Sequence, residues 1–574
     1  MFLTDAKLNT IAHKYLPEGF DIGSWEAVKT YLEELCATDT STPEALEVLI
    51  EKYSDLLNAM NDELSWRYIR MTLVADDQTK ADAYNDYFAN AYAPTEAYQF
   101  KIKELYYNSP AHHKLDTKKY ALLNQIIAKD IELFRLDNIP LQIQESELAN
   151  KYASVVSKMS VFFDGEERTP AQLAVYLKDT DRSKREEAWR LRMGLFADHQ
   201  DELNELYDQL REVRGKIAHN AGFTNYRDFK HKEMGRFSYT PEDIARFHDA
   251  VEKVVIPFVK ELDNKRKQSL NLPSLRPWDT QVDLDGRKLK PFDTTEEFIA
   301  KSLKVLNKVN PDYAHQLEMM HNTSLLDLEN RKGKAPGGYN TSINNLASSF
   351  IFMNHVKQHN DVITLLHESG HAMHSKATSH IKIAQYLETP SEVAELASMT
   401  MELLTMDYWD EYYASAADLK KAKRDQLQGT LTFLPWCMIV DAFQQWVYTH
   451  PQHSVEERFA AYLDLHKRFS GDIDWSNLEH LRKLGWMMQL HIFEVPFYYI
   501  EYGMAQLGAL SIYMNYRKDK AKALRQYQAF LELGYSRPVR EIYQTAGIEF
   551  DFSEARIREL VEFVQSELTE IEKH

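Results

Sequence analysis

Residues 43–64 read PEALEVLIEKYSDLLNAMNDEL. Leu46, Leu49, Tyr53, Leu56 and Leu57 recur there at steps of three and four, the period of an amphipathic helix. The same period returns at 80–108, 115–136 and 144–158, and again from Asp181 to His219. The chain has 574 residues but only 19 Gly and 18 Pro, so long helices are rarely interrupted. The period fails near 160, where SVFFDGEERTP places an Asp164-Gly165 turn between short extended runs and predicts a hairpin. Residues 266–295, with three prolines, read as a connector. Residues 329–345 gather three glycines before the apolar SSFIFMN, which reads as strand. The expected fold class is mostly α with short strands around 160 and 335–354. The expected division is an N-terminal helical lobe, 1–180, and a catalytic helical domain, 181–574.

A net charge of −19 argues against a nucleic-acid surface, which needs clustered Lys and Arg. Cys36 and Cys437 make no disulfide framework and fit a reducing compartment. The opening MFLTDAKLNTIAHKYL lacks the apolar core of a secretory leader. The most apolar run, Leu431–Val440, is half of what crosses a bilayer and contains Pro435. These features predict a cytoplasmic protein with no membrane partner.

The chemistry gathers in DVITLLHESGHAMHSK, residues 361–376. His367 and His371 stand four apart and so share one helical face, with Glu368 beside them. That pattern suits two imidazoles on one divalent ion and a carboxylate base for an activated water. His374 is about 10 Å along the axis from His367, too far for a common ion, and reads as packing or support. Asp361 is expected to cap this helix through the amide of Thr364.

The third ligand has to come from elsewhere. Thr389-Pro390-Ser391-Glu392 reads as a capping box that starts a second helix, SEVAELASMTMELL. Glu395, just inside it and flanked by Ala394, Ala397 and Ser398, is the better donor, with Glu392 the runner-up. Glu402 lies on the face of Glu395, where it either orients a histidine or is a plain exposed carboxylate.

HESGHAMH followed by SEVAELASMTMELL resembles the zinc metallopeptidases of the thimet oligopeptidase-like family, and oligoendopeptidase F in particular. The likeness extends to DGEERTPAQL, RKGKAPGGYNT, FIFMN, HIFEVPFYYIEYGMAQLGAL and GYSRPVREIYQTAGIEF, in that order over about 400 residues. The resemblance implies a two-lobed helical ellipsoid with a deep substrate channel. It implies one Zn2+ per chain on His367, His371 and Glu395, with Glu368 as general base and oligopeptides as substrates. It further implies that His491 and tyrosines near it stabilise the oxyanion. Tyr499 and Tyr502, three apart on one face, are the first choice and Tyr498 the runner-up. Gly337, Gly338 and Tyr339 would border the channel as substrate-binding residues, with Tyr498 a fourth; for the glycine-rich stretch an ordinary surface turn is the other reading. The expected activity is endopeptidase cleavage of short unfolded peptides. A metallocarboxypeptidase, or a peptide-binding protein with a vestigial zinc site, shares these residues. Cobalt or manganese also suits the ligand set.

Overall fold

A computed structural model describes residues 13–573 apart from 283, 285, 287 and 336. The first twelve positions of the stretch read for a leader, three positions of the 266–295 connector and Pro336 of the glycine-rich stretch lie outside the described residues. The fold is mostly α, with five short strands among the described residues. The chain forms two compact units, each built from three separate stretches. The first holds the chain up to Glu132, Leu289–Lys423 and Gly508–Phe550; the second holds Leu133–Lys288, Arg424–Leu507 and the remainder from Asp551. The expected boundary at 180 falls inside the second unit. Compactness here comes from helices distant in sequence, whereas a boundary read from local pattern follows the chain.

In the first unit the helix that opens at Pro43 runs to Leu73, with Thr42 accepting from the amide of Ala45 as its cap. Leu46, Leu49, Tyr53 and Leu56 along its apolar stripe are each at most 1% exposed. The periodic stretch 80–108 is two helices, Gln78–Tyr87 and Glu96–Tyr107. A π turn at Phe88–Tyr92 and a 3₁₀ turn at Ala93–Thr95 join them, because Pro94 has no N–H to continue the ladder.

Strands β3 (Leu326–Glu329), β4 (Tyr339–Ile343) and β5 (Ser348–His355) form one sheet in the order β3-β5-β4. β5 is parallel to β3 and antiparallel to β4, with Tyr339 opposite Phe352 and Asn340 opposite Ile351. Central position explains why β5 is a continuous apolar run and not an alternating one. The amine of Lys334 donates to the carboxylate of Asp327 (2.6 Å) and the carbonyl of Glu329 (2.9 Å), and it also reaches the carbonyl of Met353. It ties the glycine-rich stretch to both neighbouring strands.

In the second unit β1 (Val161–Phe163) and β2 (Glu166–Arg168) pair antiparallel with Phe163 opposite Glu166. Asp164 and Gly165 turn the chain at φ 54° and 82°, the left-handed pair that a two-residue hairpin requires. Residues 181–219 are two helices, Arg182–Asp198 and Gln200–Asn220, broken at His199. The connector starts later than expected, because the helix from Pro241 continues to Ser269. It is also pinned: Asp279 is fully buried and pairs with Arg185 (2.9 Å) and Arg182 (2.8 Å).

Candidate metal centre

The motif helix, His359–Ala377, and the glutamate helix, Ser391–Thr405, cross within the first unit. Gly370 sets the closeness of that crossing. A Cβ there would stand 2.6 Å from Ser398 Cα and 2.8 Å from the Ala397 carbonyl oxygen. Both helices begin differently from expectation. Asp361 does not accept from Thr364; it lies in the first turn and reaches back to the amides of Gln358 (2.7 Å) and Val356 (3.0 Å). Thr389 does not cap the glutamate helix, because Pro390 occupies the cap position and no side chain bonds there.

The crossing brings His367, His371 and Glu395 together. Their ligand atoms lie within 4.8 Å of one another, a grouping of metal-type donors that stands alone among the described residues. Glu395 Oε2 is 3.2 Å from His367 Nε2 and 3.7 Å from His371 Nε2, and it accepts from Ser398 Oγ at 2.9 Å. On its far side His367 Nδ1 meets Glu402 Oε1 at 2.8 Å. Glu402 is therefore a buried orienting partner and not an exposed carboxylate.

The charge at the site fits a cation. Burial pulls the His367 imidazole down, but hydrogen bonds and charge from Glu395 and Glu402 outweigh it and hold the ring protonated. Positive charge is thus favoured where the two Nε2 atoms converge. Burial pushes His371 down to about 4, leaving a neutral ring with a lone pair to offer. Burial opposes ionisation of Glu395, yet its contacts with His367, His371 and Ser398 bring it down to about 2. Two imidazoles and a carboxylate, with Nδ1 of one ring held by a second carboxylate, are a donor set suited to zinc.

Glu368 is 8% exposed, and burial together with the charges of Glu395 and Glu402 pushes it up to about 7 against the pull of His367. Asn340, on β4, donates to the Glu368 carbonyl (3.1 Å) and to Ser349 Oγ (2.9 Å), tying the sheet to the motif helix. No local pattern distinguished Asn340, because its partner is 28 residues away. His374 is buried against Phe530, outside the donor group, and burial pushes it down to about 3. Glu392 is buried at 2% exposure and also stands outside that group.

On the rim of the sheet, Gly337 has φ +93°, a conformation side chains rarely adopt. A Cβ on Gly338 would come within 3.3 Å of the Phe352 carbonyl oxygen. Tyr339 stacks on Phe352 at 4.8 Å, and its hydroxyl is bonded to Thr72 Oγ1 at 2.6 Å.

His491 lies on the short helix Leu490–Glu494 of the second unit. Its ring centroid is 4.9 Å from Tyr499, 6.1 Å from Tyr502 and 6.3 Å from Tyr498, and all four side chains are half-buried. Two buried arginines grip the intervening backbone. Arg214 donates to the carbonyls of Ile492 and Phe493, and Arg236 to that of Phe497 (2.6 Å) and to Glu501 (2.8 Å). Phe497, at φ +66°, is held by Gln444 through its amide.

A helical fold carrying two histidines four apart on one helix and a glutamate from the next defines the HExxH class of metal-site proteins. Within it, the chain belongs to peptidase family M3, whose model matches residues 175–562. Oligopeptidase PepF of Bacillus subtilis is 22% identical over 65% of this chain and 59% of its own. An oligoendopeptidase F homolog of Borreliella burgdorferi is 23% identical over 55% of this chain, so each of these matches spans little more than half of the relative's length. An oligoendopeptidase F homolog of Lactococcus lactis is 20% identical over 96% of this chain and 94% of its own. Among solved structures, PZ peptidase A with an inhibitor superposes with a TM-score of 0.88 at 27% identity, covering 96% of this chain and 98% of that one. Oligoendopeptidase F from Enterococcus faecium, at 14% identity and TM-score 0.62, shares the fold over 96% and 97% of the two chains. No helix among the described residues is long and apolar enough to cross a membrane.

Proposed function

We propose that this chain is a zinc-dependent endopeptidase hydrolysing short, unfolded oligopeptides in the cytoplasm. The observation that carries the reading is the convergence of His367, His371 and Glu395 beside the buried Glu368. Those three residues would hold the zinc, which would supply Lewis acidity to lower the pKa of a water and polarise a carbonyl. Glu368 accepts the proton of the attacking water at its carboxylate and returns it to the nitrogen of the leaving amine. An ionisation lifted to about 7 suits a group that must take and release a proton near neutrality. Glu402 holds the His367 ring through Nδ1, so that Nε2 faces the ligand group.

The same reading gives His491, Tyr499 and Tyr502 the donation of hydrogen bonds to the oxyanion. Their support is that the three rings form one half-buried group. Gly337, Gly338, Tyr339 and Tyr498 are taken as substrate-binding residues, the glycines leaving room for a peptide backbone. A cytoplasmic location fits the two free thiols.

The test pairs Glu368→Gln with a peptide blocked at both ends. Wild type is expected to cut the blocked peptide internally, which a carboxypeptidase cannot do. Glu368→Gln is expected to retain one zinc per chain and to lose turnover by about 10²–10⁴-fold. Near-normal turnover in the variant would remove Glu368 from its role, and peptide binding without cleavage by wild type would sink the reading.

A further inference from the structure

His491 is preceded by Gln489, whose side chain bridges it to Trp436. Trp436 Nε1 stands 2.8 Å from Gln489 Oε1, and Gln489 Nε2 stands 2.6 Å from His491 Nδ1. The orientation of this amide follows from chemistry. An indole N–H donates and has no lone pair to offer, so the amide atom facing it must be oxygen. The Tyr499 hydroxyl also lies within reach of the indole hydrogen, and a shared N–H still has no lone pair to offer the amide. With the oxygen committed to Trp436, the amide turns its NH₂ toward His491. A donor at 2.6 Å demands an acceptor, so Nδ1 must carry a lone pair and the hydrogen of the neutral ring must sit on Nε2.

We propose that Trp436 and Gln489 are positioning residues that lock His491 in the Nε2–H tautomer, so that the neutral ring presents a hydrogen-bond donor at Nε2. Nothing in an imidazole's surroundings otherwise compels that choice, since a free ring exchanges its hydrogen between the two nitrogens. The inference rests on the oxyanion role assigned to His491: an oxyanion needs a donor at Nε2, and the Nδ1–H tautomer would offer it a lone pair. A neutral donor also remains in place without the ring having to acquire a charge within a half-buried cluster of phenols. Trp436, on the helix Leu434–Thr449, reaches the His491 ring through the Gln489 amide.

The test is nitrogen NMR on the zinc-loaded full chain labelled with 15N-histidine, the His491 signals being assigned by their loss in His491→Gln. Wild type is expected to show a pyrrole-type Nε2 and a pyridine-type Nδ1. The carboxylate introduced by Gln489→Glu accepts a hydrogen bond, so Nδ1 is expected to become protonated. At a pH where the ring is neutral, kcat should then fall about tenfold or more with KM within about twofold. Trp436→Phe frees the amide to turn and is expected to give both tautomers. Unchanged near-ultraviolet circular dichroism shows that each variant is folded. A wild-type ring protonated on Nδ1, or an Nδ1 that stays unprotonated in Gln489→Glu, overturns the lock. If the tautomer shifts as expected while kcat does not move, the lock stands and the oxyanion role of His491 falls instead.

Discussion

Glu402 Oε1 stands 2.8 Å from His367 Nδ1 although 35 positions separate the two residues. One carboxylate thus fixes the rotation of the ring whose other nitrogen faces Glu395 and His371. Removing it frees the ring without deleting a ligand. Glu402→Ala is expected to weaken zinc binding by about 10–100-fold, read by competition with a chelator. Equal retention of metal by variant and wild type would show that His367 is held by its packing alone.

The crossing of the two helices depends on a missing side chain. In Gly370→Ala the new Cβ would meet Ser398 Cα and the Ala397 carbonyl, neither of which can turn aside. We expect a loss of about 1–3 kcal/mol in stability, with weaker zinc retention as Glu395 is displaced. Gly429→Ala is the control. Gly429 lies in the helix Ala416–Thr432 with nothing within 4 Å of its would-be Cβ, so the substitution should be neutral or stabilising by up to about 1 kcal/mol. Thermal unfolding of both variants makes the comparison.

Zinc should stabilise the fold, because the folded chain assembles its three donors and the unfolded chain does not. Added zinc is expected to raise the Tm of metal-free protein, and Glu395→Ala to remove most of that rise. The effect should shrink as pH falls through the pKa of His367, which Glu395 and Glu402 raise well above the usual histidine value, since that ring must lose its proton to bind. A zinc-dependent rise undiminished in Glu395→Ala would point to a different third ligand.

Asp279 contributes to acid stability in the second unit. Burial opposes its ionisation, but Arg182, the amide of Arg276 and Arg185 together hold its carboxyl below the usual range. Its folded-state pKa lies below the unfolded value of about 3.9, so its contribution is complete above that pH and is lost as pH falls further. Asp279→Asn leaves Arg185, 1% exposed, without its counter-charge, at a cost of about 3–5 kcal/mol near neutrality. Its unfolding free energy should also vary less with pH below about 4 than that of wild type. Parallel pH profiles for the two proteins would contradict this account.

What the chain determined by itself are relationships within one helix or one turn. His367 and His371 share a face because four residues make about one turn, and Asp164-Gly165 reverses the chain because their backbone angles suit a two-residue loop. The stripe of Leu46, Leu49, Tyr53 and Leu56 was legible for the same reason. Caps were less so: a shift of one or two positions decides whether Asp361 reaches forward or back and whether Thr389 or Pro390 stands at a helix start. Only the tertiary structure settled which carboxylate holds His367, that Asn340 ties a strand to Glu368, and that the compact units are discontinuous. It alone also decided that an indole orients the amide beside His491. Each of these depends on the angle and rotation at which distant elements pack, and that geometry minimises the energy of the whole core, so no short window of sequence contains it.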